Sequence, residues 1–311
     1  MYDKNHFKST SFSFPIIAIG NLSTGGTGKT PMTEYVIDLL KDSYKIAVLS
    51  RGYKRKTKGF ILADSKSTVM DLGDEPYQMH LKFKKIDLAV DTNRVRGINL
   101  LKEKNNNIDI VLMDDAFQHR AVKAGFYILL TAFDDLFIDD FLLPTGNLRE
   151  FKSGVIRADV IVVSKTPENT TEKVRQSVRK RLKHYNKPIF FSEIIYSETL
   201  ISQTESINLN SLKGKKVTLV TGIANPKPLK DFLVRKGIVC DEIEFEDHHN
   251  FSTSEITQLE NLDTFIITTE KDYVRMCGRV NHQKLFYLPI KTKIYNSVKF
   301  EELIFNFIKE F

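Results

Sequence analysis

The chain has 311 residues, 41% of them hydrophobic and 27% charged, which excludes an intrinsically disordered protein and predicts about two domains. Its two cysteines exclude a disulfide framework and a four-cysteine zinc site, and they fit a reducing cytoplasm. The net charge of +7 favours an anionic partner, which could be a nucleotide, a nucleic acid or a membrane surface.

Short apolar runs typical of buried strands alternate with helical stretches through the first part of the chain. The first predicted strand covers residues 14–19, and a glycine-rich loop and a helix at 31–40 follow it. Further strands are predicted at 46–49, 86–90, 108–113, 127–131, 160–163 and 188–191, with helices at 92–103 and 172–185. This alternation predicts a parallel sheet wrapped by helices.

A polar, extended stretch over residues 192–210 is interpreted as the connection to a second unit. Beyond it, strands are predicted at 216–220, 242–245 and 265–268, with helices at 226–236 and 298–308. We therefore predict an α/β protein with a parallel-sheet domain over residues 1–191 and a smaller α/β domain over residues 192–311.

Neither a membrane span nor a nucleic-acid module is expected. No apolar run approaches the roughly 20 residues of a spanning helix, and residues 1–13 contain no signal-peptide core. The basic clusters at 54–58, 82–85 and 175–183 are more typical of solvated faces, and zinc-finger spacing and aromatic RNA-binding signatures are missing.

The strongest motif lies between the first strand and the first helix, where a phosphate loop must sit. It reads Ser23-Thr24-Gly25-Gly26-Thr27-Gly28-Lys29-Thr30. Glycines let backbone amides turn toward phosphate oxygens, Lys29 adds positive charge, and Thr30 can bind Mg²⁺. The usual pattern has glycine where this chain has Ser23, and a glycine-rich turn without a ligand is the alternative interpretation. We predict a domain of the P-loop NTPase type.

A second motif follows the strand predicted at 108–113 directly, and it reads Asp114-Asp115-Ala116-Phe117-Gln118-His119. Carboxylates at the end of a buried parallel strand are where a Walker B aspartate holds Mg²⁺ opposite the phosphate loop. Two adjacent aspartates point in different directions, so one can serve the metal while the other orients a neighbouring group. The alternative is a pair of capping or turn aspartates.

Other motifs are weak when taken alone. They are Ser50-Arg51-Gly52-Tyr53, Gly73-Asp74-Glu75-Pro76, Asp247-His248-His249, and the block at 142–150 that contains Arg149. An Asp-Glu-Pro turn is commonly a surface feature, and either arginine could belong to an ordinary ion pair. No cysteine or spaced third ligand lies near the two histidines in the sequence. A histidine that orients a carboxylate, or is oriented by one, is therefore favoured over a zinc site.

In this order the motifs resemble the lipid A 4'-kinases, or tetraacyldisaccharide 4'-kinases. The resemblance starts at Gly20-Asn21-Leu22 and includes Gly222-Ile223-Ala224-Asn225-Pro226 and Thr269-Glu270-Lys271-Asp272. It implies an ATP-dependent kinase that phosphorylates the 4'-hydroxyl of tetraacyldisaccharide 1-phosphate in lipid A biosynthesis. It also implies two α/β domains with the active site in the cleft between them, the smaller one forming the second wall.

The resemblance also implies a role for each motif. Residues 23–30 would bind ATP, and Asp74 would be the catalytic base, paired with His248. Mg²⁺ would be held by Thr30, Asp114, Asp115 and Glu75. Nucleotide or substrate would be arranged by Arg51, His119 and Arg149.

The implied partner is an anionic glycolipid at the membrane surface, with no nucleic acid and no obligate protein partner. Members of this family act peripherally at the cytoplasmic side of the inner membrane, and they usually begin with an apolar or amphipathic helix of about 20 residues. Here the strand at 14–19 comes almost at once, so the chain as written is expected to be soluble. A start codon placed too late is favoured over true truncation, because residues 1–5 read as the middle of a linker.

Two other function classes are alternatives to the kinase. ParA/MinD-like switch ATPases share the Gly-Gly-x-Gly-Lys-Thr loop, but they carry a signature lysine where this chain has Thr24. A nucleotide-binding scaffold without catalysis is the third class. Only the kinase should consume ATP in proportion to a lipid disaccharide acceptor.

Within the kinase family, Ala116 departs from a common glycine, and the added methyl is tolerated unless that position needs a positive φ.

Overall fold

Branched apolar residues form the central strands of the larger sheet, because strands covered by helices on both faces must be apolar on both. The strands Ile16–Asn21 and Val160–Ser164, for example, are buried at every position. The computed structural model describes residues 7–281 and 283–311. The segment at 1–5, interpreted above as linker, lies outside the described residues.

The first part of the chain builds strands β1–β8 and helices α1–α5. These are β1 Ile16–Asn21, α1 Lys29–Leu40, β2 Ile46–Ser50, β3 Ile61–Leu62, α2 Val69–Leu72, α3 Asp74–Lys82, β4 Asp87–Val90, α4 Arg94–Lys104, β5 Ile110–Met113, β6 Phe126–Ala132, β7 Val160–Ser164, α5 Glu172–Leu182 and β8 Ile189–Tyr196.

The remaining elements are β9–β15 and α6–α9. These are β9 Thr199–Ile201, β10 Ser206–Asn208, β11 Val217–Thr221, α6 Lys227–Arg235, β12 Cys240–Glu244, α7 Thr253–Glu260, β13 Phe265–Thr268, α8 Glu270–Met276, β14 Leu285–Tyr287, β15 Ile290–Ile294 and α9 Ser297–Ile308.

Two sheets are present within the described residues. The larger has the order β15-β8-β7-β6-β1-β5-β2-β4-β3, with parallel pairing from β8 through β4 and an antiparallel edge strand, β3. The smaller has the order β10-β9-β14-β13-β11-β12, with β11 parallel to both neighbours. The predicted α/β class with a parallel sheet is therefore confirmed. Because β1 lies between β5 and β6, the loop after it lies at the centre of the sheet's carboxyl edge.

The chain divides into two compact units. The first comprises the residues up to Ile194 together with Thr292–Phe311, and the second is Ile195–Lys291. The boundary predicted after residue 191 lies close to this division, but the C-terminal segment differs from the prediction. Helix α9 belongs to the first unit, because Phe300 and Ile304 are fully buried in the core that also contains β1 and α1.

Some predicted connections contain regular structure. The polar stretch at 192–210 includes the end of β8 and the short strands β9 and β10, which pair antiparallel. Its polar residues occupy the edge of the smaller sheet, where one side of a strand faces water. Across residues 7–281 and 283–311, none of the helices has both the length and the apolar character needed to cross a bilayer.

Candidate active site

The glycine-rich loop after β1 ends at the first turn of α1. Gly28 caps this helix at φ 81°, and Gly25 has φ 94°, so both positions favour glycine. Thr27 is held from two strands: its hydroxyl accepts a hydrogen bond from Asn21 Nδ2 at 2.9 Å, and its carbonyl accepts one from Ser164 Oγ at 2.7 Å. These bonds fix the loop beside the amides of the helix N-terminus, which is an arrangement suited to an anion.

The block at 142–150 pairs with this loop. The amide of Thr24 donates to the carbonyl of Asn147 at 2.7 Å, and the amide of Arg149 donates to the carbonyl of Leu22 at 2.7 Å. Between them, Ser23 forms an antiparallel bridge with Leu148. The serine that departs from the usual glycine thus lies in a strand-like pairing, where a residue with a Cβ is favoured over glycine.

Asp114 is 1% exposed at the end of β5. Its carboxylate accepts hydrogen bonds from Thr33 Oγ1 at 3.0 Å and Ser50 Oγ at 3.3 Å. Burial first, and then the negative charges of Glu75 and Asp115, raise the pKa of Asp114 to about 7. The acidic residues therefore concentrate negative charge that the protein by itself compensates only in part.

The side chain of Asp115 has other partners than that of Asp114. The sequence predicts that the two adjacent aspartates point in different directions. Its carboxylate lies 3.7 Å from Lys29 Nζ and 3.3 Å from Arg149 Nη1. Its φ of 46° is a left-handed conformation that aspartate tolerates. The positive φ of this turn thus falls on Asp115 and not on Ala116, which explains how alanine fits the following position.

The donors around Asp114 fit a magnesium ion bound together with phosphates. No group of three or more His, Cys, Asp or Glu side chains forms a metal cage in the part of the chain that the structure describes. Mg²⁺ generally uses one or two carboxylates and completes its shell with water and phosphate oxygens. Thr30, Asp114, Asp115 and Glu75 supply oxygen donors of this kind, and a divalent cation would neutralise the charge that raises the pKa of Asp114.

Two glycines bring the Ser50–Tyr53 and Gly73–Pro76 motifs together. A Cβ on Gly73 would lie 2.6 Å from the carbonyl oxygen of Tyr53, and Gly73 has φ 87°. Asp74 follows as the first residue of α3, and both it and Glu75 are half-buried. The turn commonly expected of Asp-Glu-Pro is instead a helix start, where carboxylates and proline are both favoured.

Basic side chains surround this edge of the sheet. Burial and the charges of Arg94 and Arg51 lower the pKa of His119 to about 4, so its ring is neutral at physiological pH. Arg51 itself is exposed, and Arg149 reaches Asp115. The three supporting residues predicted from the sequence thus belong to the same end of the first unit.

The sequence prediction missed several residues here. Arg94 is 2% exposed, donates to the carbonyl of Asp114 at 3.4 Å, and has its pKa lowered by burial to about 10. Lys165, with φ 55°, brings its Nζ to 3.7 Å from where a Cβ on Gly26 would lie. Lys165 directly follows strand β7, and Arg94 is the first residue of α4, the helix after β4. Their position after a parallel strand is the signal by which the sequence could have indicated them as site residues.

In the second unit, two of the quoted motifs meet at one buried carboxylate. Asp272 is fully buried and accepts hydrogen bonds from the amide of Gly222 at 2.9 Å and Thr269 Oγ1 at 2.7 Å. Arg275 Nη1 donates to the same carboxylate at 3.1 Å. Burial raises the pKa of Asp272, while these donors oppose the shift.

The two histidines of the Asp-His-His motif have different surroundings. His248 has φ 63°, and its ring nitrogens lie 3.3 Å from Lys271 Nζ and 3.0 Å from Arg275 Nη2. His249 instead pairs with Glu255 at 3.0 Å, at the start of α7. Lys271 and Arg275 received no role from the sequence, although Lys271 lies in one of the quoted motifs.

Comparisons with known proteins agree over the full chain. Residues 1–309 match the family described as tetraacyldisaccharide-1-P 4'-kinase. The tetraacyldisaccharide 4'-kinase of Flavobacterium johnsoniae is 48% identical, with 100% of this chain and 92% of that protein covered. The Bacteroides thetaiotaomicron protein of the same name is 42% identical, with coverage of 100% and 88%. The crystal structure of LpxK from Aquifex aeolicus in complex with ATP has a TM-score of 0.80 at 30% identity, covering 99% of this chain and 92% of that one.

Proposed function

The chain belongs to the tetraacyldisaccharide-1-P 4'-kinase family, and from this premise we propose how its own residues carry out the reaction. That reaction is the ATP-dependent phosphorylation of the 4'-hydroxyl of tetraacyldisaccharide 1-phosphate in lipid A biosynthesis. The observation that carries the residue roles is the approach of Lys29 Nζ to 3.7 Å from Asp115, beside the buried Asp114.

Residues 23–30 bind the phosphates of ATP in this proposal. The amides of the loop and of the first turn of α1 donate to phosphate oxygens, and Lys29 exchanges its contact with Asp115 for one with the nucleotide. Thr30, Asp114, Asp115 and Glu75 hold the metal. Mg²⁺, when bound, offsets the negative charge that the transferred phosphoryl group carries. Arg51, His119 and Arg149 arrange the nucleotide and the anionic substrate around it.

Asp74 accepts the proton of the attacking 4'-hydroxyl, and His248 orients that carboxylate. A sugar hydroxyl is a poor nucleophile, so transfer gains from a positioned carboxylate that takes its proton. Support for Asp74 comes from its fixed place as the first residue of α3, directly after Gly73, which packs closely against Gly52 and Tyr53. Support for His248 comes from the two cationic donors beside its ring, Lys271 Nζ and Arg275 Nη2. A neutral imidazole accepts from only one of them, so its other nitrogen carries the N–H that the proposal gives to Asp74. Asp74 belongs to the first unit and His248 to the second, so their pairing during catalysis is part of the proposal.

The enzyme is further proposed to act peripherally at the cytoplasmic side of the inner membrane. Its substrate carries acyl chains that remain in a bilayer, and the net charge of +7 favours an anionic lipid surface. Neither nucleic acid nor an obligate protein partner is needed for this role.

The proposed base is tested by Asp74→Asn, with phosphate transfer to tetraacyldisaccharide 1-phosphate as the assay. We expect kcat to fall about 10²–10⁴-fold with little change in the KM for ATP, because the variant keeps the loop but loses the proton acceptor. Asp64→Asn, which changes an exposed carboxylate in the turn before α2, is the matched control. Near-normal turnover of Asp74→Asn with bound ATP would show that the base assignment is wrong.

The pairing with His248 has a separate test. If the two side chains act as one unit, His248→Gln lowers kcat, and the double variant with Asp74→Asn is scarcely slower than Asp74→Asn alone. Effects of the two substitutions that multiply would instead mean that they act independently.

A further inference from the structure

Four large apolar side chains lie exposed within residues 141–156 of the first unit. Phe141, Leu143, Phe151 and Ile156 have exposed fractions of 66%, 53%, 70% and 79%, and we call them the apolar surface. The first three line an open depression of about 590 Å³, together with Leu142 and Leu148. Single exposed apolar residues are common, whereas a contiguous group marks a site of interaction.

A group of cations lies beside the apolar surface. Arg179, Lys180, Lys183 and Lys187, at and after the end of α5, line a second open depression of about 730 Å³, and we call them the basic surface. Lys187 Nζ donates to the carbonyl of Ile156 at 3.0 Å, so the two surfaces are in direct contact. The next residue of α5 after Lys180, Arg181, forms an ion pair with Asp139, which precedes the apolar surface in the chain.

A further cation lies within the apolar surface itself. Lys152 Nζ lies 5.7 Å from the centre of the Phe141 ring and donates to the carbonyl of Ile138 at 2.6 Å. A carbonyl partner orients the ammonium group without neutralising its charge. The combination of exposed aromatic and aliphatic side chains with neighbouring lysines is that of a protein surface which enters the headgroup region of a bilayer.

The apolar surface is also tied to the phosphate loop. Phe141 and Leu143 precede, and Phe151 follows, a segment whose residues Asn147 and Arg149 form backbone hydrogen bonds with Thr24 and Leu22. These side chains are therefore anchored to the loop that holds the reacting phosphate. A lipid surface that contacts them lies near the position where a lipid headgroup must be phosphorylated.

We propose that the apolar and basic surfaces together dock the protein on a bilayer that contains anionic lipid. The apolar side chains enter the interface, and the lysines contact lipid phosphates. Charge decides between this occupant and a second copy of the chain, since a two-fold self-contact would set the basic surface against itself. The inference rests on the proposed membrane location and adds the face of the protein that makes contact.

The test is flotation of the full chain with phosphatidylcholine vesicles, with or without phosphatidylglycerol. We expect binding that requires phosphatidylglycerol and that weakens about tenfold or more in the double variant Phe151→Gln/Ile156→Gln. Lys183→Gln/Lys187→Gln should weaken it about fivefold per lysine. Val298→Gln and Lys309→Gln, which change exposed residues in and just after α9, are matched controls and should bind as the unchanged protein does.

Phosphate transfer to detergent-dispersed substrate separates this inference from the proposed function. All four variants should keep that activity within about twofold, because none changes a residue of the candidate active site. Unchanged vesicle binding in both surface variants would overturn the docking surface while leaving the kinase assignment intact. A parallel loss of detergent-phase activity, or a change in oligomeric state without a change in vesicle binding, would equally overturn it.

Discussion

Each unit contains one buried aspartate at the centre of its motifs, and the two are compensated differently. Asp272, in the second unit, receives hydrogen bonds from Gly222, Thr269 and Arg275. Asp114, in the first unit, receives two hydroxyl hydrogen bonds but also faces the negative charges of Glu75 and Asp115. A buried charge with a full set of partners is structural, whereas one with like-charged neighbours has a cost that a ligand can remove.

This difference shows where the protein maintains an unfavourable arrangement for function. The motifs of the second unit converge on a carboxylate that is satisfied by its own neighbours. The acidic residues of the first unit are compensated only in part, by cations such as Lys29 at 3.7 Å from Asp115. A bound cation would supply the remaining positive charge. A functional site commonly has such a perturbed group, and folding must offset its cost elsewhere.

The largest effect on stability is expected from Asp272→Asn. The substitution removes the charge of Asp272 that pairs with the buried guanidinium of Arg275, so the free energy of unfolding should fall by about 3–5 kcal/mol. Chemical denaturation measures this value. Asp241→Asn, which breaks an exposed ion pair with Lys216, is the control and should cost less than about 1 kcal/mol. If both variants lose a similar amount of unfolding free energy, the structural role assigned to Asp272 is wrong.

Asp114→Asn should act in the opposite way on stability. We expect kcat/KM to fall about 10²–10³-fold, because the variant loses a proposed metal ligand. Its free energy of unfolding at pH 8, measured without ATP and Mg²⁺, should stay equal or rise, because a buried carboxylate with like-charged neighbours is gone. If this variant loses as much stability as Asp272→Asn, the contrast between the two units is wrong.

The change in stability over a single pH unit is the smallest of the expected effects. A carboxyl whose folded-state pKa of about 7 exceeds its ordinary value of about 3.9 binds a proton in the folded state between these limits. The contribution of protonated Asp114 to the free energy of unfolding is thus fully present below about pH 4 and is lost as the pH rises through 7. The free energy of unfolding falls over this range by at most about 1.4 kcal/mol per pH unit. Thermal melts in the absence of ATP and Mg²⁺ should show this slope, and Asp114→Asn should lose it. An identical slope in the variant would contradict the assignment.

Much of the fold could be read from local patterns. The strand predicted at 265–268 matches β13, and most other predicted strands differ from the observed ones by a few residues at their ends. Runs of branched apolar residues specify buried strands locally, so no long-range information is needed. Helix α3 was missed because Gly73 and Pro76 resemble turn residues, and only the packing of Gly73 against Tyr53 explains its backbone.

The candidate site was predicted unevenly for a similar reason. Residues 23–30 and the two aspartates after β5 could be named as candidates because motif order and strand ends are visible in the sequence. Arg94 and Lys271 were not given roles, since their importance comes from contacts with residues distant in sequence.

The sequence by itself determined the α/β class, the position of the phosphate loop between β1 and α1, and the acidic pair at the end of β5, because each depends on neighbouring residues. Tertiary structure decided that α9 returns to the first unit, that the segment with Arg149 pairs with the phosphate loop, and that Asp114 and Asp272 are compensated differently. Burial and charge act through space, so they depend on which distant segments the fold brings together.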